Sequence, residues 1–182
     1  MFEAVLIAIA FTAIQWMYPP WSLIIACSLL LLCLPGVLTM RGAAPYVTTS
    51  KKTMEAMLRL ANIQHGDHIY DLGCGDGRIV FAAAAHGALA VGYEVSIPTY
   101  LLAKIRSLWH PRSNIRYGNL WKQNYGDADV IFCYFLKDTM QDFALRIWPT
   151  LKPGCRVVSH AFTIDGMEAA ARDGDAVLYV KG

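Results

Sequence analysis

The most constraining feature of the sequence is an acidic residue followed by three glycines at alternate positions: Asp71, Gly73, Gly75 and Gly77. An apolar run precedes Asp71, so this residue is expected to close a β-strand before the chain turns sharply into a helix. Glycine tolerates the positive φ of such a turn and lets the backbone approach a cofactor closely. The D-x-G-x-G-x-G pattern is the signature of an S-adenosylmethionine (SAM) site, and we expect these four residues to surround that cofactor.

Two other interpretations of this glycine loop stay open. A dinucleotide fingerprint spaces its glycines as G-x-G-x-x-G, and Arg78 stands where its third glycine would fall, so NAD is the weaker interpretation. A glycine-rich turn without a ligand is the other. Glu94 ends the next apolar run, and its carboxylate is suited to accept hydrogen bonds from ribose hydroxyls. This acid supports nucleoside binding but does not discriminate SAM from NAD.

Residues 1–40 differ in composition from the rest of the chain. No charged residue lies between Glu3 and Arg41, and Pro19 with Pro20 divides the stretch into two apolar runs. The second run matches the roughly 20 residues needed to cross a bilayer core, and the first is slightly short. We predict a membrane anchor over residues 1–40, as one span or a helical hairpin. A cleaved signal peptide is the competing interpretation, but it requires a basic start and a small-residue cleavage site.

Charge and composition narrow the location and the partners. Arg41, Lys51, Lys52 and Arg59 follow the predicted anchor, so the positive-inside rule places residues 41–182 in the cytoplasm. The formal net charge of +2, without a basic stripe interleaved with aromatics, does not indicate a nucleic-acid-binding protein. The spacing of cysteines and histidines matches no zinc site, and no metal is expected.

Apolar runs alternate with helical patterns after the glycine loop, which predicts a parallel sheet with helices on both faces. The expected fold class is α/β, a Rossmann-like sheet of the class I, seven-strand SAM methyltransferase type, in one domain over residues 41–182. The predicted strands are His68–Tyr70, Leu89–Tyr93, Asn114–Tyr117, Val130–Phe135, Arg156–Ala161 and Ala176–Lys181. The predicted helices are Arg78–Ala85, Pro98–Trp109 and Thr139–Trp148. Residues 162–175 allow either a hairpin or a short helix.

Six motifs together resemble the membrane-anchored protein-lysine methyltransferases: Pro45–Thr49, Asp71–Arg78, Val91–Glu94, Gly118–Trp121, Asp129–Phe132 and Leu151–Gly154. Members of that family modify the c-ring protein of ATP synthase and the adenine nucleotide translocase in mitochondria. The resemblance implies lysine methylation and SAM contacts at Tyr46, Thr49, Asn119 and Leu120. The chain departs from the family pattern at Thr48, where a second proline is usual, and at Asn119, where an aspartate is usual. An amide oxygen can still accept a hydrogen bond from the adenine amino group.

The end of the fourth predicted strand supplies the candidate catalytic residues. Ligands bind at the carboxyl ends of strands in open α/β sheets, so Tyr134 and Phe135 are expected to face the methyl group. Aromatic faces can hold a lysine stem and a partly methylated ammonium by cation–π attraction. Tyr46 is suited to close the same wall, and Asp138 is a weaker candidate for removing the amine proton. Ordinary core packing is the alternative role for both aromatic residues.

The leading hypothesis is a membrane-anchored protein-lysine N-methyltransferase that faces the cytoplasm and acts on a membrane protein. Its expected partners are the lipid bilayer, through residues 1–40, and the protein substrate. Methylation of a membrane lipid or quinone would explain the predicted anchor equally well. A membrane-tethered SAM-binding protein without turnover is the third possibility.

Overall fold

The computed structural model describes residues 22–25, 27, 28, 30 and 49–182. The chain divides into two units, Met1–Pro35 and Gly36–Gly182. The described residues of the first unit are helical. Within the described ranges, no helix is both long enough and apolar enough to cross a bilayer. Most of the anchor predicted over residues 1–40 falls outside these ranges, and so does Tyr46.

One mixed sheet of seven strands organises the described part of the second unit. The strands are β1 His68–Leu72, β2 Leu89–Glu94, β3 Ser113–Tyr117, β4 Val130–Cys133, β5 Arg156–His160, β6 Ala171–Asp173 and β7 Ala176–Val180. Their order is β3-β2-β1-β4-β5-β7-β6. The first five strands are parallel, and β7 runs antiparallel to both of its neighbours. The strand order reverses between β1 and β4, which is where open α/β sheets bind their ligands.

The helices of this unit are α1 Lys51–Ala61, α2 Arg78–Ala85, α3 Ile97–Arg106 and α4 Lys137–Arg146. Short 3-10 helices cover Ser107–Trp109, Leu120–Lys122 and Trp148–Thr150. The Ser50 hydroxyl caps α1 by accepting the backbone N–H of Thr53 at 3.1 Å. Alanine favours the helical conformation of α2, and Gly87 ends that segment with a φ of +90°.

Each face of the sheet carries its own apolar core. Residues of β4 alternate between the two, since Val130 and Phe132 belong to one cluster while Ile131 and Cys133 belong to the other. The first cluster holds the inner sides of α1, α2 and α3, and the second holds that of α4. All four residues of β4 are buried, as expected for a continuous apolar run in a central parallel strand.

The predicted alternation of strands and helices is confirmed, and the differences lie at the ends of elements. β4 ends at Cys133, which places Tyr134 and Phe135 just beyond the strand. The helix predicted from Thr139 begins at Lys137, and those predicted to end at Trp109 and Trp148 finish as 3-10 turns. For residues 162–175 the hairpin alternative is correct: β6 pairs with β7 through a tight turn at Gly174, whose φ is +58°.

Gly92 in the middle of β2 permits the close approach of the glycine loop, which leads to a testable prediction. A Cβ at this position would lie 2.6 Å from Sγ of Cys74 and 2.8 Å from Cγ2 of Val80. We expect Gly92→Ala to reduce the free energy of unfolding by about 1–3 kcal/mol, because the methyl group overpacks a buried site. Urea unfolding of the variant beside the parent protein measures the change.

Gly118→Ala is the matched control, since a Cβ there would come no closer than 3.4 Å, to the flexible end of Gln123. Its stability is expected to stay within about 0.5 kcal/mol of the parent protein. Equal stability of the two variants would contradict a packing role for Gly92.

Candidate functional site

The glycine loop adopts the backbone conformation that its sequence predicts. Gly73, Gly75 and Gly77 have φ values of +83°, +55° and +82°, in the region that side chains with a Cβ disfavour. The N–H groups of Gly73 and Cys74 both donate to the carbonyl of Tyr93, each at 3.0 Å. The loop is therefore fastened to the end of β2 before it enters α2.

Glu94 at the end of β2 holds the same loop through its side chain. One carboxylate oxygen accepts the N–H of Gly75 at 3.0 Å, and the other accepts the N–H groups of Val95 and Ser96 at 2.9 and 2.7 Å. Each carboxylate oxygen has two lone pairs, so acceptor capacity is left for hydroxyl donors of a ligand. The predicted ribose contact at Glu94 thus remains compatible with its role in the loop.

A network of charges around Asp76 was not predicted from the sequence. The Asp76 carboxylate pairs with Nε of Arg78 at 3.0 Å and with the guanidinium of Arg106, on α3, at 2.7 Å. Burial alone would raise the pKa of this carboxyl group, but the hydrogen bonds from Arg78 and Arg106 outweigh it and lower that pKa below its ordinary value. Arg78 also donates to the carbonyl of Thr49 at 2.9 Å. The network joins the loop to α2, to α3 and to the chain before α1.

Asp71 is buried at the end of β1, beside two other acids of the site. Burial, followed by repulsion from Glu94 and Asp76, raises the pKa of Asp71 to about 8. A cation bound nearby would favour the ionised carboxylate and reverse this shift. SAM carries a sulfonium and an ammonium group, so this buried acidic cluster suits the charge of the expected cofactor.

This electrostatic arrangement predicts that SAM binding releases a proton at neutral pH. Asp71, whose pKa is about 8, is largely protonated there in the cofactor-free protein, and a bound cation stabilises its carboxylate. Calorimetric titration in two buffers of different ionisation enthalpy measures the release. It should fade at pH values above the pKa of Asp71 and should be smaller in Asp71→Asn. Equal release from parent and variant would assign the proton to another group.

The Glu94 carboxylate supports a second prediction about the cofactor. We expect Glu94→Ala to weaken SAM binding by about 1.5–3 kcal/mol for each charged hydrogen bond that it removes. Glu94→Gln should lose less affinity, since its amide oxygen still accepts one donor. Calorimetric titration of the two variants measures both values. Unchanged affinity in Glu94→Ala would exclude the predicted ribose contact.

The other predicted cofactor residues lie in two places. Thr49 is buried, and its carbonyl binds Arg78; the predicted contact at Tyr46 lies outside the described residues. Asn119 uses its side-chain oxygen to accept the N–H of Trp121 at 2.9 Å and so caps the 3-10 helix at Leu120–Lys122. Leu120 is half-buried, and its carbonyl accepts the hydroxyl of Tyr125 at 2.8 Å. The adenine contact predicted for Asn119 would have to share that oxygen with the cap.

The predicted catalytic residues occupy three different environments. Tyr134 is half-buried beyond the carboxyl end of β4. Phe135 is 4% exposed and packs between the rings of Trp121 and Phe143, which is the core role weighed as the alternative. Asp138 is exposed in the first turn of α4, whereas the cap position belongs to Leu136. The structure therefore brings Tyr134 to the ligand edge and leaves Asp138 in solvent.

His160, at the carboxyl end of β5, is a site residue that the sequence reasoning missed. Its ring lies against that of Tyr134, with 4.0 Å between centroids. Among the described residues, its Nδ1 is the one buried side-chain nitrogen or oxygen without a hydrogen-bond partner. Burial lowers the pKa of His160, although the charge of Asp175 acts in the opposite direction. The signal available in the sequence was its position, since it closes β5 as Glu94 closes β2.

The described residues contain no cluster of three or more histidine, cysteine or acidic side chains that could hold a metal ion. The chemistry of the site consequently has to be built from the acids around the glycine loop and from the Tyr134–His160 pair. The first group suits a cationic nucleoside cofactor. The second places an aromatic ring and an uncharged imidazole at the neighbouring ends of β4 and β5.

Comparison with known proteins agrees with this geometry. The profile of the ANTKMT methyltransferase domain matches residues 71–171. The protein-lysine N-methyltransferase of Saccharolobus islandicus (strain REY15A) is 37% identical over 127 residues, which are 67% of this chain and 79% of the relative. The adenine nucleotide translocase lysine N-methyltransferase of Mus musculus is 31% identical over 152 residues, 80% of this chain. The chain spans 66% of the length of that mouse protein.

A second mouse relative is named for a different protein of the same organelle. The lysine N-methyltransferase of the ATP synthase c-ring protein is 29% identical over 122 residues, which are 65% of this chain. The chain spans about half of that relative, 49% of its length. The two mouse relatives and the archaeal one share lysine as the residue named for methylation.

A solved structure shares both the fold and part of the sequence. The RNA methyltransferase from Salinibacter ruber, in complex with S-adenosyl-L-homocysteine, superposes with a TM-score of 0.67 at 31% sequence identity. The match covers 73% of this chain and 91% of that protein. Its ligand is what remains of SAM after the methyl group has been transferred.

Proposed function

Since the chain belongs to the ANTKMT methyltransferase family and is a SAM-dependent methyltransferase, we propose that it methylates a lysine side chain of a protein held at a membrane. The observation that carries the lysine assignment is the 37% identity to the archaeal protein-lysine N-methyltransferase. The two mouse relatives, which are named for lysine methylation of other proteins, support the same acceptor group.

The chemistry of a lysine acceptor requires a neutral amine. SAM, when bound, supplies a methyl group that an amine takes by in-line displacement. A free lysine has a pKa near 10.4, so deprotonation at neutral pH costs roughly 4–5 kcal/mol. A desolvated channel reduces that cost because it disfavours the ammonium form. Holding the amine in line is the remaining requirement, and it supplies much of the acceleration in such reactions.

Tyr134 and His160 are the residues that meet these requirements in our proposal. The Tyr134 ring forms an aromatic wall for the lysine stem. An imidazole that is uncharged at neutral pH can accept a hydrogen bond or a proton from the amine, and the lowered pKa of His160 favours that form. The contact between the two rings, 4.0 Å between centroids, fixes each by the other.

Support for the membrane comes from the sequence. The uncharged stretch between Glu3 and Arg41 is long enough for an anchor, and basic residues follow it. We propose that residues 1–40 tether the enzyme with its active site on the cytoplasmic side, where SAM is made. A tether raises the effective concentration of acceptors in the same membrane, so the substrate is expected to be a membrane protein.

The test is to incubate the purified full chain with isotope-labelled SAM and native membranes. Protein, lipid and RNA are then separated, and the labelled residue is identified by mass spectrometry. RNA is included because the Salinibacter ruber protein is an RNA methyltransferase. The expected result is label on a lysine of an integral membrane protein.

The Gly75→Val protein is the control, because it should not bind the cofactor. Label confined to lipid would support the alternative acceptor, a membrane lipid or quinone. Label in RNA alone would overturn the lysine assignment. Cofactor binding without any transfer would identify a SAM-binding protein without turnover.

A further inference from the structure

An apolar stripe lies on the solvent side of α3 and of the 3-10 helix that follows it. Its members, here called the α3 stripe, are Leu101, Leu102, Ile105, Leu108 and Trp109. They are 47%, 52%, 57%, 77% and 70% exposed. At about 100° per residue they fall within an arc of roughly 120°, and Ala103, which is fully buried, points the opposite way.

This arrangement inverts the usual pattern of a helix on the surface of a domain. Such a helix turns its wide apolar face to the core and its polar face to water. In α3 a small residue, Ala103, faces the core, while the large side chains face outward. Single exposed apolar residues need no explanation, but a contiguous patch on a folded domain marks a surface that meets a partner or a membrane.

The charges around the stripe select the partner. Lys104 and Arg106 flank it on opposite sides of α3, and Arg112 follows it in the chain. No aspartate or glutamate occurs from Val95 to Gly126, a segment that contains five lysine and arginine residues. Arg106 is paired with Asp76, but Lys104 and Arg112 are exposed and have no ion-pair partner within the described residues. A leucine- and tryptophan-rich face with basic flanks is typical of helices that lie in the interface of an anionic bilayer.

We propose that the α3 stripe is a docking surface for an anionic lipid bilayer. The leucine and isoleucine side chains enter the boundary between headgroups and acyl chains, Trp109 lies at headgroup level, and Lys104 and Arg112 contact lipid phosphates. This contact belongs to the catalytic domain, so it depends neither on the acceptor nor on residues 1–40. Together with a tether it would fix the orientation of the domain at the membrane surface.

The experiment attaches an environment-sensitive fluorophore to the stripe in the full chain. The label is placed at Leu108→Cys, in a protein whose Cys27 and Cys33 are replaced by serine. Leu145→Cys on α4 is the matched control, because Leu145 is 76% exposed and Leu108 is 77% exposed. Vesicles of phosphatidylcholine alone, or with phosphatidylglycerol, are then added. We expect a blue shift of emission at position 108, not at 145, that is larger with phosphatidylglycerol and smaller at high salt.

A charge variant makes the test quantitative. Arg112→Glu should lower the ratio of docked to undocked domain roughly 25-fold on anionic vesicles, since each basic residue near the surface contributes about fivefold and the reversal counts twice. Arg172→Glu, an exposed position on the edge strand β6 at the far side of the sheet, applies the same charge change and should have little effect.

Three outcomes would overturn the proposal. Equal shifts at positions 108 and 145 would mean that the stripe is not the surface that meets lipid. A blue emission at position 108 before vesicles are added would mean that the chain itself, or a second copy, covers the stripe. A shift produced by RNA or by membrane protein in place of lipid vesicles would assign the surface to that partner.

Discussion

Replacement of Gly75 by valine is expected to abolish SAM binding. Gly75 has a φ of +55°, and a β-branched residue in the left-handed region costs at least about 1–2 kcal/mol. Its N–H donates to the Glu94 carboxylate at 3.0 Å, a charged hydrogen bond worth about 1.5–3 kcal/mol. Together these losses correspond to roughly a 100-fold decrease in affinity or more, at 1.4 kcal/mol per tenfold. The valine side chain would also occupy space that the cofactor is expected to fill.

Calorimetric titration with SAM measures this loss, and Gly166→Val controls for backbone strain. Gly166 has a φ of +74°, and a Cβ built on it meets no atom within 4 Å. The control variant should lose a similar amount of stability while its SAM affinity stays unchanged. If Gly75→Val bound SAM as tightly as the parent protein, the glycine loop would not be the cofactor site.

Tyr134→Ala is expected to slow methyl transfer about 100-fold, the cost of misplacing a reacting group by roughly 1 Å. Its SAM affinity should change little, because in our proposal the Tyr134 ring meets the acceptor and not the adenosine. A loss in rate without a loss in cofactor binding is typical of an interaction that acts on the transition state. The initial rate of label transfer to native membranes at saturating SAM, beside a calorimetric titration, separates the two quantities.

Two further variants isolate the cause. Tyr134→Phe keeps the ring contact with His160 and should retain most of the rate, unless the hydroxyl itself orients the amine. His160→Ala should resemble Tyr134→Ala, and the double variant should lose little more than either, because the two rings act as a pair. Additive losses would mean that they act separately, and an unchanged rate in Tyr134→Ala would place the acceptor channel elsewhere.

The glycine loop could be predicted because its requirements are local. A backbone with positive φ at alternate positions needs glycine at those positions, whatever surrounds it. The strands were predicted for a similar reason, since β4 buries every residue and therefore reads as an unbroken apolar run. Element ends were less predictable: Tyr134 continues the apolar run of β4 but lies beyond its last paired residue.

The residues that were missed depend on partners far away in the chain. The pairing of Arg106 with Asp76 joins positions 30 residues apart, and the sequence offers 16 basic residues as possible partners for that acid. His160 shows the same limit, because the absence of a hydrogen-bond partner is a property of the packed structure. Asn119 is the opposite case: the predicted acceptor oxygen exists, but the local backbone already uses it as a cap.

The charge network around Asp76 has a consequence for the thermodynamics of cofactor binding. Arg78 and Arg106 hold the glycine loop to α2, to α3 and to the carbonyl of Thr49, and the loop has this shape without any ligand contact. Ordering a loop of this length on binding would cost about 1–2 kcal/mol per residue in backbone entropy. A loop that is already ordered avoids that cost, so the free energy of its contacts appears as affinity.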